Sequence, residues 1–196
     1  MDRKYRLQLI DFYKSLMEIS EEDLSALFSR LDQKRFKKGM IIKEAGKIDQ
    51  FSRFVCEGLI GLYREKDGTP NLEYLFTTGD IATEFHSYYT NQASEYYLKT
   101  LNDGVYIELS ADSQEYVAKK NHNLMKLESK VMSYIMSRRT EMNGIRLLGL
   151  EAGYRELTKY LGDYIFLLKQ TDLAGLFNCS LRKVSRWYSE KGSKDL

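Results

Sequence analysis

Residues 171–187 read Thr171-Asp172-Leu173-Ala174-Gly175-Leu176-Phe177-Asn178-Cys179-Ser180-Leu181-Arg182-Lys183-Val184-Ser185-Arg186-Trp187. The pattern predicts two short helices joined by a tight turn. Such a pair needs a small side chain where the helices approach, here Ala174, and a turn residue that tolerates left-handed backbone, here Asn178. Leu173, Phe177, Val184 and Trp187 are the apolar pins, and Thr171 and Ser180 are the expected N-caps. The second helix then exposes Ser180, Leu181, Arg182, Lys183 and Arg186. An arginine fork matches guanine O6 and N7, which makes Arg182 and Arg186 the candidate base readers. Ser180, Lys183 and Lys169 suit phosphate contacts, and Thr171 and Leu181 complete the set. The competing reading is an ordinary helical hairpin with a solvated basic face.

Upstream, Tyr154–Leu161 is helical by pattern and ends at Gly162-Asp163. Before it, Leu124, Leu127, Val131, Tyr134, Arg138, Glu141, Ile145 and Leu148 fall at a 3-4 spacing over about 25 residues. That stripe admits two readings, a helix laid on its own β-roll or a parallel two-fold seam between protomers. Its length and narrowness favour the seam, built from Leu124, Leu127, Val131, Tyr134, Arg138 and Ile145. Further upstream, residues 36–110 hold short β-prone runs. Asp67-Gly68 and Asp103-Gly104 each predict a tight hairpin. Val105, Ile107 and Leu109 alternate with Tyr106 and Glu108, as in a strand with one buried face. A helical lead-in at Ile19–Leu31 has Ser20 and Asp23 at its start.

The 196 residues are 43% hydrophobic and 30% charged, with a formal charge of +2, which argues against a chain coated in basic residues. The charge is uneven: after Gly153 there are eight basic and five acidic residues, a local +3. Any nucleic-acid site is therefore local. The N-terminus lacks the apolar run of a signal peptide and no window approaches the roughly 20 apolar residues of a membrane span, so a cytoplasmic protein with no membrane partner is expected. Two distant cysteines, Cys56 and Cys179, cannot supply the roughly four ligands of a structural zinc site or an iron–sulfur cluster. His86 and His122 are isolated, which leaves at most a single axial haem ligand.

The order of helix, β-roll, long helix and helix-turn-helix resembles the Crp/Fnr family of bacterial transcription regulators over residues 19–190. The resemblance rests on Phe36-Lys37-Lys38-Gly39, Glu44-Ala45-Gly46, Phe54-Val55-Cys56-Glu57-Gly58, Gly79-Asp80-Ile81-Ala82-Thr83-Glu84-Phe85, and Asn178-Cys179-Ser180 through Val184-Ser185-Arg186. It implies an α+β chain: a cyclic-nucleotide-binding-like β-roll (a double-stranded jelly roll) over 1–122, a dimerisation helix over 123–150 and a helix-turn-helix domain over 151–196. It further implies a homodimer on double-stranded promoter DNA, with RNA polymerase and a small-molecule effector as further partners.

The sequence departs from the family in two places. Cyclic-AMP-binding members carry a glycine-glutamate pair followed by arginine and serine. Here the pair is Thr83-Glu84, and the later positions are Ser94 and Glu95. A buried phosphate beside a carboxylate and without a cation costs several kcal/mol, so cAMP binding is expected to be weak or absent and no cofactor is assigned. Phe85, Tyr96, Arg139 and Thr140 are the remaining candidates for an altered pocket, and Tyr88, Tyr89, Tyr96 and Tyr97 either line it or fill it. The family also follows its recognition helix with a β-hairpin wing. Glu190 to Leu196 leave no room for one, which predicts fewer phosphate contacts.

Two other functional classes compete. An interaction module with a reduced DNA head is suggested by Leu181 in place of a polar reader. An enzyme on a cupin-like barrel would need a His-rich metal site, and no G-x-S-x-G, P-loop or H-E-x-x-H spacing occurs, so no catalysis is expected.

Overall fold

The computed structural model describes residues 1–192. The question of a wing falls partly on residues 193–196, outside the described residues.

Two helices open the chain, α1 (Arg3–Leu16) and α2 (Glu21–Phe28). The Ser20 hydroxyl caps α2 by accepting the Asp23 N–H at 3.1 Å, as its sequence position predicts. The first helix has no counterpart in the sequence reading, although Tyr5, Leu9 and Tyr13 recur every four residues and are all buried.

Eight strands follow: β1 (Asp32–Phe36), β2 (Ile41–Lys43), β3 (Phe51–Glu57), β4 (Ile60–Lys66), β5 (Thr69–Phe76), β6 (Ile81–Ala82), β7 (Tyr96–Thr100) and β8 (Gly104–Ser110). They form two antiparallel sheets, ordered β1-β8-β3-β6 and β2-β7-β4-β5. Asp67 and Gly68 both take positive φ, 52° and 71°, and close the β4–β5 hairpin as expected.

The second hairpin does not exist. Strand β7 pairs with β2 and β4 in one sheet, while β8 pairs with β1 and β3 in the other. Asp103-Gly104 is thus a crossover between sheets, held where Asp103 accepts the Lys37 ammonium (2.8 Å) and the Lys38 N–H (2.9 Å). Strand β8 also has two inward faces rather than one. Val105, Ile107 and Leu109 pack under the N-terminal helices, Tyr106 points into the roll, and half-buried Glu108 sits near Lys34.

A short helix, α3 (Phe85–Thr90), leads into β7. Helices α4 (Ala111–Lys120) and α5 (His122–Leu147) leave the roll, and α6 (Gly149–Leu161) returns along it. A 3-10 segment, Gly162–Leu167, joins α6 to α7 (Gln170–Leu176) and α8 (Leu181–Gly192).

One apolar core fills the roll through Val55, Leu62, Leu72 and Leu98, and it runs on into Leu157, Leu161, Leu173, Leu176 and Val184 of the C-terminal helices. Those helices are therefore seated on the roll. A close approach is made at Gly175, where a Cβ would lie 2.7 Å from the Leu72 backbone N and 2.8 Å from Asn71 Oδ1. Strand β5 is the edge of its sheet, and α7 covers it.

A Gly175→Ala substitution tests this seat. Helix propensity alone would gain about 1 kcal/mol. Overpacking against immovable backbone is expected to cost about 1–3 kcal/mol, so the net result is a lower urea midpoint. An unchanged or higher midpoint would contradict the close approach.

Candidate functional site

The region beneath α3 is polar and buried, and its carboxylates are hydrogen-bonded, while the Arg53 Nε is buried without a partner. The Glu84 carboxylate caps α3 by accepting from the N–H groups of Ser87 (2.8 Å) and His86 (3.3 Å). Asp49, 1% exposed, accepts from the Glu84 N–H at 2.8 Å, the Thr83 hydroxyl at 3.3 Å and the Arg53 guanidinium at 3.0 Å. Two carboxylates thus occupy the donors at the start of α3.

Sequence reasoning missed the cation here. Lys43, at the end of β2, is buried and donates to Ser94 Oγ (2.8 Å), the Ser94 carbonyl (3.2 Å) and the Tyr96 carbonyl (2.5 Å). Burial pushes its ammonium below the ordinary lysine range, and the Glu84 and Asp49 carboxylates partly restore it. A positive charge therefore stands beside Ser94, but its N–H groups already face three acceptors. The only sequence signal was a lysine closing the short β-prone run Ile41-Ile42-Lys43.

The remaining pocket candidates divide. Thr83, Glu84, Ser94 and Tyr96 gather around Asp49 and Lys43. The Arg139 guanidinium lies 5.7 Å from the Phe85 ring centre and 5.4 Å from that of Tyr74, with its Nη1 buried and unpartnered. Glu95 is exposed, and Thr140 points outward with its hydroxyl on the Met136 carbonyl. Tyr88 turns away toward α4, donating to Gln114 Oε1 at 2.8 Å. Tyr97 stacks on Tyr63 with ring centres 5.5 Å apart.

The stripe read as a dimer seam is used inside the chain. Leu124 and Leu127 are buried against α1, α2 and the roll, Val131 packs beside them, and Ile145 belongs to the main core. Tyr134 donates to the Gly79 carbonyl at 3.1 Å and meets the Phe12 ring edge-on. Arg138 Nε donates to Asp80 at 2.8 Å. Asp80 also accepts from the Tyr160 hydroxyl (3.2 Å) and the Thr77 N–H (2.8 Å), which ties the roll, α5 and α6 together. Burial holds the Asp80 carboxyl above its ordinary value although Arg138 and these donors pull it down. The outer face of α5 carries Met125, Met132, Met136 and Leu147, of which Leu147 is 88% exposed.

In the C-terminal pair, Asn178 takes φ 46° at the turn and the Ser180 hydroxyl caps α8 by accepting the Lys183 N–H at 3.2 Å. Thr171 is not a cap. Helix α7 begins two residues earlier, with Lys169 as its N-cap and its N–H bonded to Asp172 at 2.9 Å, and this leaves Thr171 exposed in the first turn. Ala174 is partly buried against the main core, and its neighbour Gly175 makes a close approach to the roll. Val184 is fully buried, and Trp187 meets Tyr154 edge-on at 4.8 Å. The opposite face exposes Arg182, Ser185, Arg186 and Ser189, flanked by Lys183 on one side and Leu181 on the other.

Polar bonds lock this pair to the roll. The Tyr63 hydroxyl donates to Asp172 Oδ1 at 3.0 Å in a buried contact. Arg146 donates to the Leu176 carbonyl (2.9 Å) and to Glu73 (3.2 Å). No group of three or more His, Cys, Asp or Glu side chains that could hold a metal occurs among the described residues. Cys56 is buried with its thiol pushed up to about 12, and Cys179 is half-buried. No helix among the described residues is long and apolar enough to cross a membrane.

No protein-family model matches the sequence, and no curated relative matches it. Solved structures do share its fold. The c-di-GMP-responsive global regulator CLP of Xanthomonas campestris is 13% identical with a TM-score of 0.64, over 90% of this chain and 94% of that one. A cyclic-nucleotide-binding domain from Methylobacillus flagellatus is 13% identical with a TM-score of 0.62, over 81% and 86%. The catabolite activator protein of Thermus thermophilus is 16% identical with a TM-score of 0.52, over 90% and 85%. The shared feature is a cyclic-nucleotide-binding type of β-roll with accompanying helices.

Two measurements test the site. Calorimetric titration with cAMP is expected to give no sub-micromolar binding, because a phosphate would meet Glu84 and Asp49. Tight binding would overturn that reading. Arg138→Gln leaves Asp80 buried without its cation and raises its pKa further. The folded state then favours the protonated carboxyl, so the penalty is full above the folded pKa and shrinks as pH falls toward the ordinary carboxylate range. A loss of about 2–3 kcal/mol is expected at pH 7.5 and a smaller one at pH 5 by urea denaturation. Equal losses at both pH values would contradict the assignment.

Proposed function

We propose that this chain is a DNA-binding transcription regulator of the Crp/Fnr type, acting as a homodimer whose β-roll takes a ligand other than cAMP or none. The observation that carries the reading is the exposed face of α8. Arg182, Ser185, Arg186 and Ser189 stand opposite buried Val184, behind a left-handed turn at Asn178. That is the arrangement a recognition helix needs to enter a major groove. Lys183, Ser180, Thr171 and Lys169 lie around the same end and suit phosphate contacts.

Since the inner stripe of α5 is occupied, a two-fold seam would use the outer face. Met125, Met132, Met136 and Leu147 lie within about 60° of one another on a 100° helical wheel. Seams of this kind set the half-site spacing of a palindromic operator. RNA polymerase would be the downstream partner. A purely interaction-based role is the second reading, and the observation favouring it is Leu181, 47% exposed beside the reading face.

Mobility-shift assays on duplexes enriched from a random pool separate the two. Replacing Arg182 and Arg186 together by alanine removes base pairings worth about 1–3 kcal/mol each. The expected loss is at least about 30-fold in affinity for the selected duplex, with the fold retained. Indifference to the double substitution would favour the interaction module.

A further inference from the structure

Part of the roll also reaches the side of the C-terminal pair that would meet DNA. The β4–β5 hairpin tip, with Lys66, Asp67 and Thr69, forms one wall of a groove of about 490 Å³. Thr171, Ser180 and Leu181 stand on the other wall. In helix-turn-helix docking the first helix crosses the phosphate backbone while the start of the second reads base edges. Here those two places are the exposed Thr171 and the Ser180–Leu181 start of α8. A backbone passing both runs along the groove, against the hairpin.

We infer that the tip of the β4–β5 hairpin is a second DNA-contacting element, with Lys66 as its phosphate-binding residue. The inference rests on the DNA-binding reading above and adds a contact made by the sensor roll itself.

Three observations converge on Lys66. It is exposed and makes no ion pair with any described residue. Its cationic neighbours are already engaged, since Arg64 and Arg146 both pair with Glu73 at 3.2 Å. The tip is also fixed relative to α8, because the two-residue turn is tight and β5 is seated on Gly175 and bonded through Tyr63 to Asp172. Among the described residues Asp67 is the one acidic side chain lining the groove, and it opposes the contact. A lysine phosphate contact steers and positions without reading sequence, so its signature differs from that of Arg182 or Arg186.

The test uses the full chain and a labelled duplex selected from the random pool, beside a random-sequence duplex of equal length. Binding is followed by anisotropy from 50 to 200 mM KCl. For Lys66→Ala the slope of log affinity against log salt is expected to flatten by about 0.9 for each phosphate that Lys66 neutralises. The advantage of the wild type then shrinks about 3.5-fold per phosphate across that salt range. Both duplexes should lose affinity equally, so the preference for the selected one is unchanged. Lys66→Glu should weaken binding further, and Asp67→Asn should strengthen it on both duplexes.

A wild type that prefers its selected duplex, with Lys66→Ala matching it in slope and affinity, would overturn the inference and leave the DNA-binding reading standing. A loss of preference at constant slope would also overturn it. A wild type with no affinity for either duplex would remove the DNA-binding reading and this contact with it.

Discussion

The seating of the C-terminal helix pair centres on one contact between two backbones, α7 at Gly175 against β5 at Leu72. A helix can come this close only where it lacks a side chain. The approach buries Leu72, Leu173 and Leu176 completely and merges the core of the C-terminal pair with that of the roll. It also shields an edge strand whose free N–H and C=O groups would otherwise invite pairing with another chain. The Tyr63–Asp172 bond and the two Arg146 bonds add direction to this apolar contact. Helix α8 and the hairpin tip are therefore oriented by the same seat.

A second constraint is how the roll handles charge. Lys43, Asp49, Arg53, Glu84 and Asp80 are all at most 5% exposed, and each has partners that offset its desolvation. Such clusters contribute little net stability, but removing one member leaves another buried and uncompensated. Beneath α3 the result is a set of donors and acceptors that, apart from the Arg53 Nε, satisfy one another, unlike an open cradle for phosphate. Near α5 the result is Asp80, which joins the roll to Arg138 and Tyr160. Coupling between roll and C-terminal helices thus runs through two polar joints and one apolar seat.

The features legible in the sequence were those set by neighbours in the chain. Asp67-Gly68 announced a turn because both residues tolerate positive φ, and Ser20, Asn178 and Ser180 announced helix ends for similar local reasons. Features that depend on distant partners were not legible. Asp103-Gly104 has equal turn chemistry, but that chemistry cannot say which sheet each flanking strand joins. The stripe on α5 signalled burial without saying whether the cover was a second protomer or the chain's own α1 and β-roll. The polar cluster under α3 was partly legible: Thr83, Glu84 and Ser94 were named from the sequence, whereas Lys43 and Asp49 reach them only through the sheet topology. Gly175 looked like one more helix residue, because the strand it touches lies about 100 residues away in sequence.

If the seat at Gly175 makes roll and C-terminal helices one body, they must open together. Native-state hydrogen exchange across a denaturant series reads this directly, by comparing amides of Leu173, Leu176 and Phe177 with those of Leu72 and Leu75. One cooperative body predicts that all five exchange with the same opening free energy, close to that of global unfolding. Exchange of the α7 amides at a much lower free energy, with β5 still protected, would contradict it.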